Sequence, residues 1–318
     1  MCGIVGGICK NANLFTTVLL SMLLLACQND TPTQTSVLNS TDNQTQSKIN
    51  PTLYYFEKDN SVGVKDDNGN IIIEPSHSNI RYYDYNFPIT TPYIELFDKV
   101  PDTYPKNALA HPAGEVFDRQ GKFVHNVLSF DNGVDDWQEG LRRYVDDNAK
   151  VGFVNKKGDI IISAQYDYVS AFQYGYALVY TGNWQKDCNP DCIGFKAVDD
   201  TATTYFINQK GEKIDGYDTP KHPKDMQYQG KYYPYPFIYN AFEQKLLDEL
   251  KGLDKDSYLE ITEKPTEYFP YYRIEVFDKQ SFILDNDLSY LINANGQVFK
   301  EEYNGVLTFI KEINFLEE

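Results

Sequence analysis

Apolar and polar positions alternate in short runs along most of the chain, and the runs are broken by polar stretches that end on glycine. Gly63-Val64-Lys65-Asp66-Asp67-Asn68-Gly69-Asn70-Ile71-Ile72-Ile73 and Gly152-Phe153-Val154-Asn155-Lys156-Lys157-Gly158-Asp159-Ile160-Ile161-Ile162 each place two glycines six residues apart. Val116–Val124, Phe206–Ile214 and Leu291–Phe299 repeat the pattern around Gly121, Gly211 and Gly296. The arrangement predicts five β-hairpins. Asp or Asn opens a tight turn, glycine takes the positive-φ position that reverses the chain, and apolar residues resume on both sides as paired strands.

Four other stretches break this rhythm. Residues 14–26 are thirteen apolar or small residues, and residues 28–50 are almost wholly Ser, Thr, Asn, Gln, Asp and Pro. Near the C-terminus, Asn240 followed by Glu243 predicts a capped helix with Phe242, Leu246, Leu247 and Leu250 as its core stripe and Gly252 as its stop. Before it, Tyr228–Tyr239 is dense in Tyr and Pro, which keeps it out of a central strand and predicts a packed connector. Aromatic-rich strands are expected after the helix, ending in Gly305–Phe315.

The apolar run 14–26 is too short to cross a bilayer, which needs about 20 residues. Its length fits the core of an export signal, with Lys10 as the positive flank. It ends Leu24-Leu25-Ala26-Cys27, which resembles the lipobox of bacterial lipoproteins. The resemblance implies cleavage after Ala26, acylation of Cys27 and a lipid anchor, since several acyl chains together hold a protein firmly to a membrane. The same resemblance, with Gln28 rather than Asp after the cysteine, implies the outer rather than the inner membrane of the cell envelope. The polar tract that follows cannot offset the entropy of ordering and is expected to be a disordered tether. A coil of this length spans about 25–30 Å.

The opening Met1-Cys2-Gly3-Ile4-Val5-Gly6 looks like the start of class II glutamine amidotransferases. That chemistry needs a free terminal amine beside the thiol. Here the motif runs into an export signal that would be removed with it, so the match reads as coincidence.

Around the central hairpin, Tyr166-Asp167 and Phe172-Gln173-Tyr174-Gly175-Tyr176-Ala177-Leu178-Val179 follow, echoed upstream by Trp137-Gln138-Glu139-Gly140-Leu141-Arg142-Arg143-Tyr144. The whole pattern resembles the WG-repeat family over about residues 54–215, and weakly again near 290–303. No Trp-Gly dipeptide is present, as Val62 and Val151 precede the glycines. The resemblance implies a mainly β fold: an array of antiparallel β-hairpin repeats in a curved sheet or superhelix, each covering its neighbour's apolar face. A small mixed α+β part follows. A β-propeller is the alternative, against which the unequal turn spacing argues. The expected organisation is signal peptide 1–26, tether 27–51, hairpin repeats 52–215 and a mixed C-terminal module 216–318.

Composition adds constraints. A net charge of −17, from 46 acidic and 29 basic residues, repels phosphate backbones and speaks against nucleic acid as a partner. The 26 Tyr and 19 Phe suit pleated, half-buried surfaces. Once Cys27 is acylated and the signal removed, Cys188 and Cys192 are the remaining thiols. Around Asn189-Pro190, in an oxidising compartment, they are expected to form a disulfide. Asp66-Asp67-Asn68-Gly69 and Asp131-Asn132-Gly133 suggest calcium loops but lack the alternating acids and final Glu, so they read as turns. The sequence carries no phosphate loop, dinucleotide fingerprint, serine elbow or His-Glu-x-x-His. No cofactor, metal site or catalytic residue is therefore expected. The leading functional reading is a lipid-anchored binding module for a protein or glycan. The alternatives are a structural envelope lipoprotein without a specific ligand, and a hydrolase built from scattered carboxylates.

Overall fold

A computed structural model describes residues 51–79, 83–97, 104–105, 107–130, 133–187, 194–301 and 306–313. The polypeptide is mainly β with antiparallel pairing. The first sheet is a meander of β1 (Leu53–Lys58), β2 (Ser61–Asp66) and β3 (Ile71–Ser78). The second contains β4 (Tyr93–Phe97), β5 (Pro112–Asp118), β6 (Phe123–Phe130), β7 (Gly133–Val134), β8 (Leu141–Val145), β9 (Val151–Asn155) and β10 (Ile160–Tyr166). Its order is β10-β9-β8-β6-β5-β4, with β7 on β6. A third sheet joins β11 (Tyr168–Val169) and β12 (Tyr176–Thr181), across the inserted hairpin β13 (Trp184–Asp187) and β14 (Gly194–Ala197), to β15 (Thr203–Asn208) and β16 (Lys213–Ile214). After the short hairpin β17 (Met226–Tyr228) and β18 (Lys231–Tyr233) comes the helix α1 (Ala241–Leu250). A five-stranded meander closes the chain: β19 (Ser257–Glu263), β20 (Tyr271–Asp278), β21 (Leu284–Asn293), β22 (Gln297–Glu301) and β23 (Leu307–Glu312). Among the described residues the sheets do not close into a propeller.

One turn chemistry recurs throughout. In the β2–β3, β5–β6, β9–β10, β15–β16 and β21–β22 hairpins the turn opens with Asp66, Asp118, Asn155, Asn208 and Asn293. The side-chain Oδ1 of each accepts from the backbone N–H groups two and four residues on, at 2.8–3.1 Å. The glycine three residues on donates its N–H to the carbonyl of the same residue at 2.9–3.1 Å. Gly69, Gly121, Gly158, Gly211 and Gly296 hold φ of 79–91°, a conformation that any Cβ opposes. The Asp66 carboxylate is thus consumed by its own turn.

A sixth copy joins β8 to β9. Asp146 accepts from Asn148 N–H at 3.0 Å and Lys150 N–H at 2.7 Å, and Ala149 stands where glycine stands elsewhere, with φ of 60°.

The strand glycines do different work. At Gly152 a Cβ would lie 2.4 Å from the Ile162 carbonyl oxygen and 2.7 Å from the Ala164 nitrogen, because β10 bulges towards β9 there. Val62 and Val151, in the positions before these glycines, are fully buried.

Successive units cover one another. Leu53, Val62, Val64 and Ile73 of the first sheet pack with Ile94, Leu96 and Phe117 of the second. Phe153 and Ile162 pack with Val169, Phe172, Val179 and Ile207 of the third. At the turn ends, a Cβ on Gly121 would sit 2.7 Å from the Ile72 carbonyl oxygen of the preceding hairpin, and one on Gly211 would sit 3.3 Å from the Ile162 side chain.

The helix carries the capping box: Asn240 accepts from Glu243 N–H, and the Glu243 carboxylate accepts from Asn240 N–H. Its stripe differs from the sequence expectation at one position. Leu246, Leu247 and Leu250 pack on Leu259, Ile261, Ile274 and Ile292, whereas Phe242 is 40% exposed, with its ring 6.0 Å from that of Tyr272. Glu243 is the buried residue of the first turn, because capping Asn240 and pairing with Lys264 at 2.6 Å hold its carboxylate inward. The Tyr-Pro connector packs as well. Tyr233, Tyr235 and Phe237 lie against Tyr174, Tyr176, Phe206 and Phe277, between the hairpin array and the last sheet.

Candidate functional site

The turns that begin the strands after each hairpin hold the first half of the site. Gln138 and Leu141 exchange both backbone hydrogen bonds around Glu139-Gly140, and Gln173 and Tyr176 do so around Tyr174-Gly175. Both central residues of each turn have positive φ, the two-residue geometry that fits the twist of a hairpin. The Glu139 carboxylate reaches from the first turn to the second, accepting from Gly175 N–H at 3.0 Å and from Gln209 Nε2 at 3.1 Å. Burial pushes the Glu139 carboxyl up to about 7, against these hydrogen bonds, and the nearby Glu263 charge adds to the shift.

The second half comes from the β19–β20 connection. Glu263, at the end of β19, pairs with the Lys156 ammonium from the β9–β10 turn and with Arg273 Nε at 2.9 Å. Arg273 also pairs with Glu301 and donates to Ser289 Oγ at 3.3 Å. Lys156 Nζ lies 3.8 Å from the centre of the Phe269 ring. Burial lowers its pKa while the Glu263 carboxylate opposes the change. Gly140 permits this approach, since a Cβ there would come within 3.2 Å of Glu263 Cγ. Deeper in, Glu275 is pushed up to about 8 by burial and then by the Glu139 charge, with Arg273 opposing. One of its oxygens has no hydrogen-bond partner.

Above this ionic floor lies a cleft of about 460 Å³, with Glu139, Gly140 and Asn155–Lys157 on one side and Thr262–Lys264 and Thr266–Tyr268 on the other. It continues into a hollow of about 340 Å³ that shares Lys156, Glu267 and Tyr268 and is bounded by Thr90–Tyr93 and Trp137. The two adjoin at the three shared residues, and together they make up the groove. Trp137 is half-buried and its ring is held by the Arg142 guanidinium, 4.5 Å from the ring centre. Tyr268 is 40% exposed at the opposite lip.

Another buried carboxylate ties the connector to the last sheet. Glu260, fully buried, accepts from Tyr235 and Tyr239 hydroxyls at 2.6 Å each and from Lys224 Nζ at 2.7 Å. Each of its partners is satisfied, so the arrangement serves to fix the join.

Of the residues singled out in the sequence, Cys27, Cys188 and Cys192 lie outside the described residues. The turn glycines lie at hairpin ends. Gly158 is next to the groove, where a Cβ would touch Tyr93 at 3.1 Å, while Gly69, Gly121, Gly211 and Gly296 are not among the groove residues. The groove residues themselves escaped sequence reasoning. Trp137-Gln138-Glu139-Gly140 was visible as a repeat echo, but nothing local joins it to Thr262–Phe269. Among the described residues, no three of His, Cys, Asp and Glu are placed to hold a metal ion.

No curated protein matches the chain. A family model described as WG containing repeat matches residues 152–183. This stretch runs from Gly152 through the Gly158 turn and the Tyr174-Gly175 turn to the end of β12, so one complete unit, strand, glycine turn, strand, two-residue turn and strand, carries a WG repeat.

Proposed function

We propose that the chain is a lipid-anchored protein of the bacterial cell envelope. Its folded part stands outside the cytoplasm on a polar tether and binds a ligand in the groove between the hairpin array and the last sheet. The hydrophobic run ending in Ala26-Cys27 and the polar tract after it support the anchor at Cys27, with Gln28, by resemblance to lipoproteins, favouring the outer membrane. The recurrence of one turn geometry at five places between Asp66 and Gly211 supports extension of the WG-type array across about residues 54–215. The β13–β14 register pairs Asp187 with Gly194, the described residues on either side of Cys188 and Cys192 in sequence, which supports a disulfide between them.

The observation that carries the binding reading is the groove. Residues over a hundred positions apart converge there on a fixed ionic floor, with a tryptophan and a tyrosine at its lips. Pre-arranged polar groups beside aromatic surface are the ordinary make-up of a recognition site. Glu139 and Glu275 have raised pKa values, yet Glu139 is engaged by Gly175 and Gln209, which favours binding over hydrolysis.

The test is retention of the purified full-length chain, in a zwitterionic detergent, on envelopes from cells lacking it. Trp137→Ala with Tyr268→Ala should abolish retention. Phe87→Ala, at a residue 67% exposed and outside the groove, should leave it unchanged. Equal retention of all three proteins would refute the assignment. Metabolic labelling with a palmitate analogue that is lost on Cys27→Ala tests the anchor separately.

A further inference from the structure

The groove's chemistry says more than that something binds, and this step rests on the binding reading above. Three carboxylates, Glu139, Glu263 and Glu267, and three ammonium groups, Lys156, Lys157 and Lys264, line it. They balance to within one charge, since burial leaves Glu139 partly protonated near neutral pH. The chain as a whole is strongly acidic, with 46 acidic against 29 basic residues, so the groove departs from the rest of the molecule in being close to neutral. A polyanion would meet the three acids, and a polycation the three lysines. Each would have to lose solvation without net compensation.

The remaining lining is largely hydroxyl and aromatic. Thr90, Thr91 and Thr266 are exposed there, whereas the Asn155 amide is held by its own turn. Threonine hydroxyls both donate and accept, as do the hydroxyls of a sugar. The half-buried Trp137, with Arg142 fixing its ring, and the 40% exposed Tyr268 supply rigid aromatic surface. A pyranose ring has a face of C–H bonds that are apolar and weakly positive, which suits the negative face of an indole or phenol ring. An apolar peptide would leave the hydroxyl and charged walls unpaired, at a cost.

We propose that the groove binds a neutral oligosaccharide chain, with Trp137 and Tyr268 as stacking platforms and the exposed Thr hydroxyls and paired Lys–Glu groups reading its hydroxyls. The chain contains two tryptophans, so Trp184→Phe leaves Trp137 as the sole indole reporter.

The full-length Trp184→Phe protein, in zwitterionic detergent, is titrated with cellohexaose, xylohexaose, maltohexaose and chitohexaose, and with polygalacturonate and octalysine. At least one neutral hexasaccharide should shift the Trp137 emission saturably. Tyr268→Ala should weaken that binding about tenfold while circular dichroism stays unchanged. Polygalacturonate and octalysine should not compete. Response to the charged probes alone, or to none of the six, overturns the sugar assignment. If envelope retention still depends on Trp137 and Tyr268 in that case, the groove stands as the binding site and only its ligand class falls. If retention does not depend on them, both fall.

Discussion

Gly69→Ala and Gly121→Ala put the same methyl group into the same kind of turn and should have different consequences. Both glycines have nearly equal φ, 85° and 80°, so both substitutions carry the same backbone cost. Alanine in that region costs about 1–2 kcal/mol. Loss of glycine's freedom in the unfolded chain returns about 0.4–1 kcal/mol. The net is a loss of roughly 1 kcal/mol at Gly69, where a Cβ would meet nothing within 4 Å. At Gly121 the Cβ would lie 2.7 Å from the Ile72 carbonyl oxygen and 3.1 Å from its side chain. Backbone cannot swing aside as a side-chain tip can, so overpacking adds about 1–3 kcal/mol. Gly121→Ala should therefore lose roughly 2–4 kcal/mol in all. The assay is urea unfolding followed by far-ultraviolet circular dichroism. With a slope of about 2 kcal/mol per molar urea, the midpoint should fall by about 0.5 M for Gly69→Ala and by about 1–2 M for Gly121→Ala. Their difference measures the seating of one hairpin on the next. Equal midpoints would refute it.

Three further outcomes follow from the same geometry. Ala149→Gly should raise stability by about 0.5–1 kcal/mol in the same assay, because it relieves the left-handed alanine in the sixth turn. Gly152→Ala should cost about 2 kcal/mol or more, through contact with Ile162 and Ala164 backbone atoms, and is read from the same midpoint. The third concerns pH. Glu139 and Glu275 hold their protons in the fold up to about 7 and about 8, whereas in the unfolded chain they lose them near the ordinary carboxyl value of 4.5. Between those limits the native state binds more protons, so these two groups make stability fall as pH rises from about 5 to 8. Glu275→Gln removes one of them, and its Tm relative to the parent should climb across that range. A constant difference would contradict the burial argument.

What the sequence made legible was the part governed by neighbours in the chain. Asx-opened, glycine-closed turns and the Asn240/Glu243 cap depend on residues within about four positions, and such patterns survive in one dimension. The sixth turn was hidden because its Asp146-Asp147-Asn148-Ala149-Lys150 run lacks glycine; the opening Asp and flanking apolar residues were the available signal. Phe242 was misplaced because helical spacing alone does not reveal that the cap holds Glu243 inward. The groove was illegible for a different reason. Lys156 finds Glu263, and Glu139 finds Gly175 and Gln209, through the stacking of units rather than through spacing in sequence.

The central claim is that the ligand lies between the hairpin array and the last sheet. Amide hydrogen exchange of the full-length chain, free and bound to isolated envelopes, tests it most directly. Added protection should concentrate at residues 137–141, 155–158 and 262–269 and vanish with Trp137→Ala and Tyr268→Ala. Protection confined to the exposed edge strand β23, or to the first sheet, would contradict it.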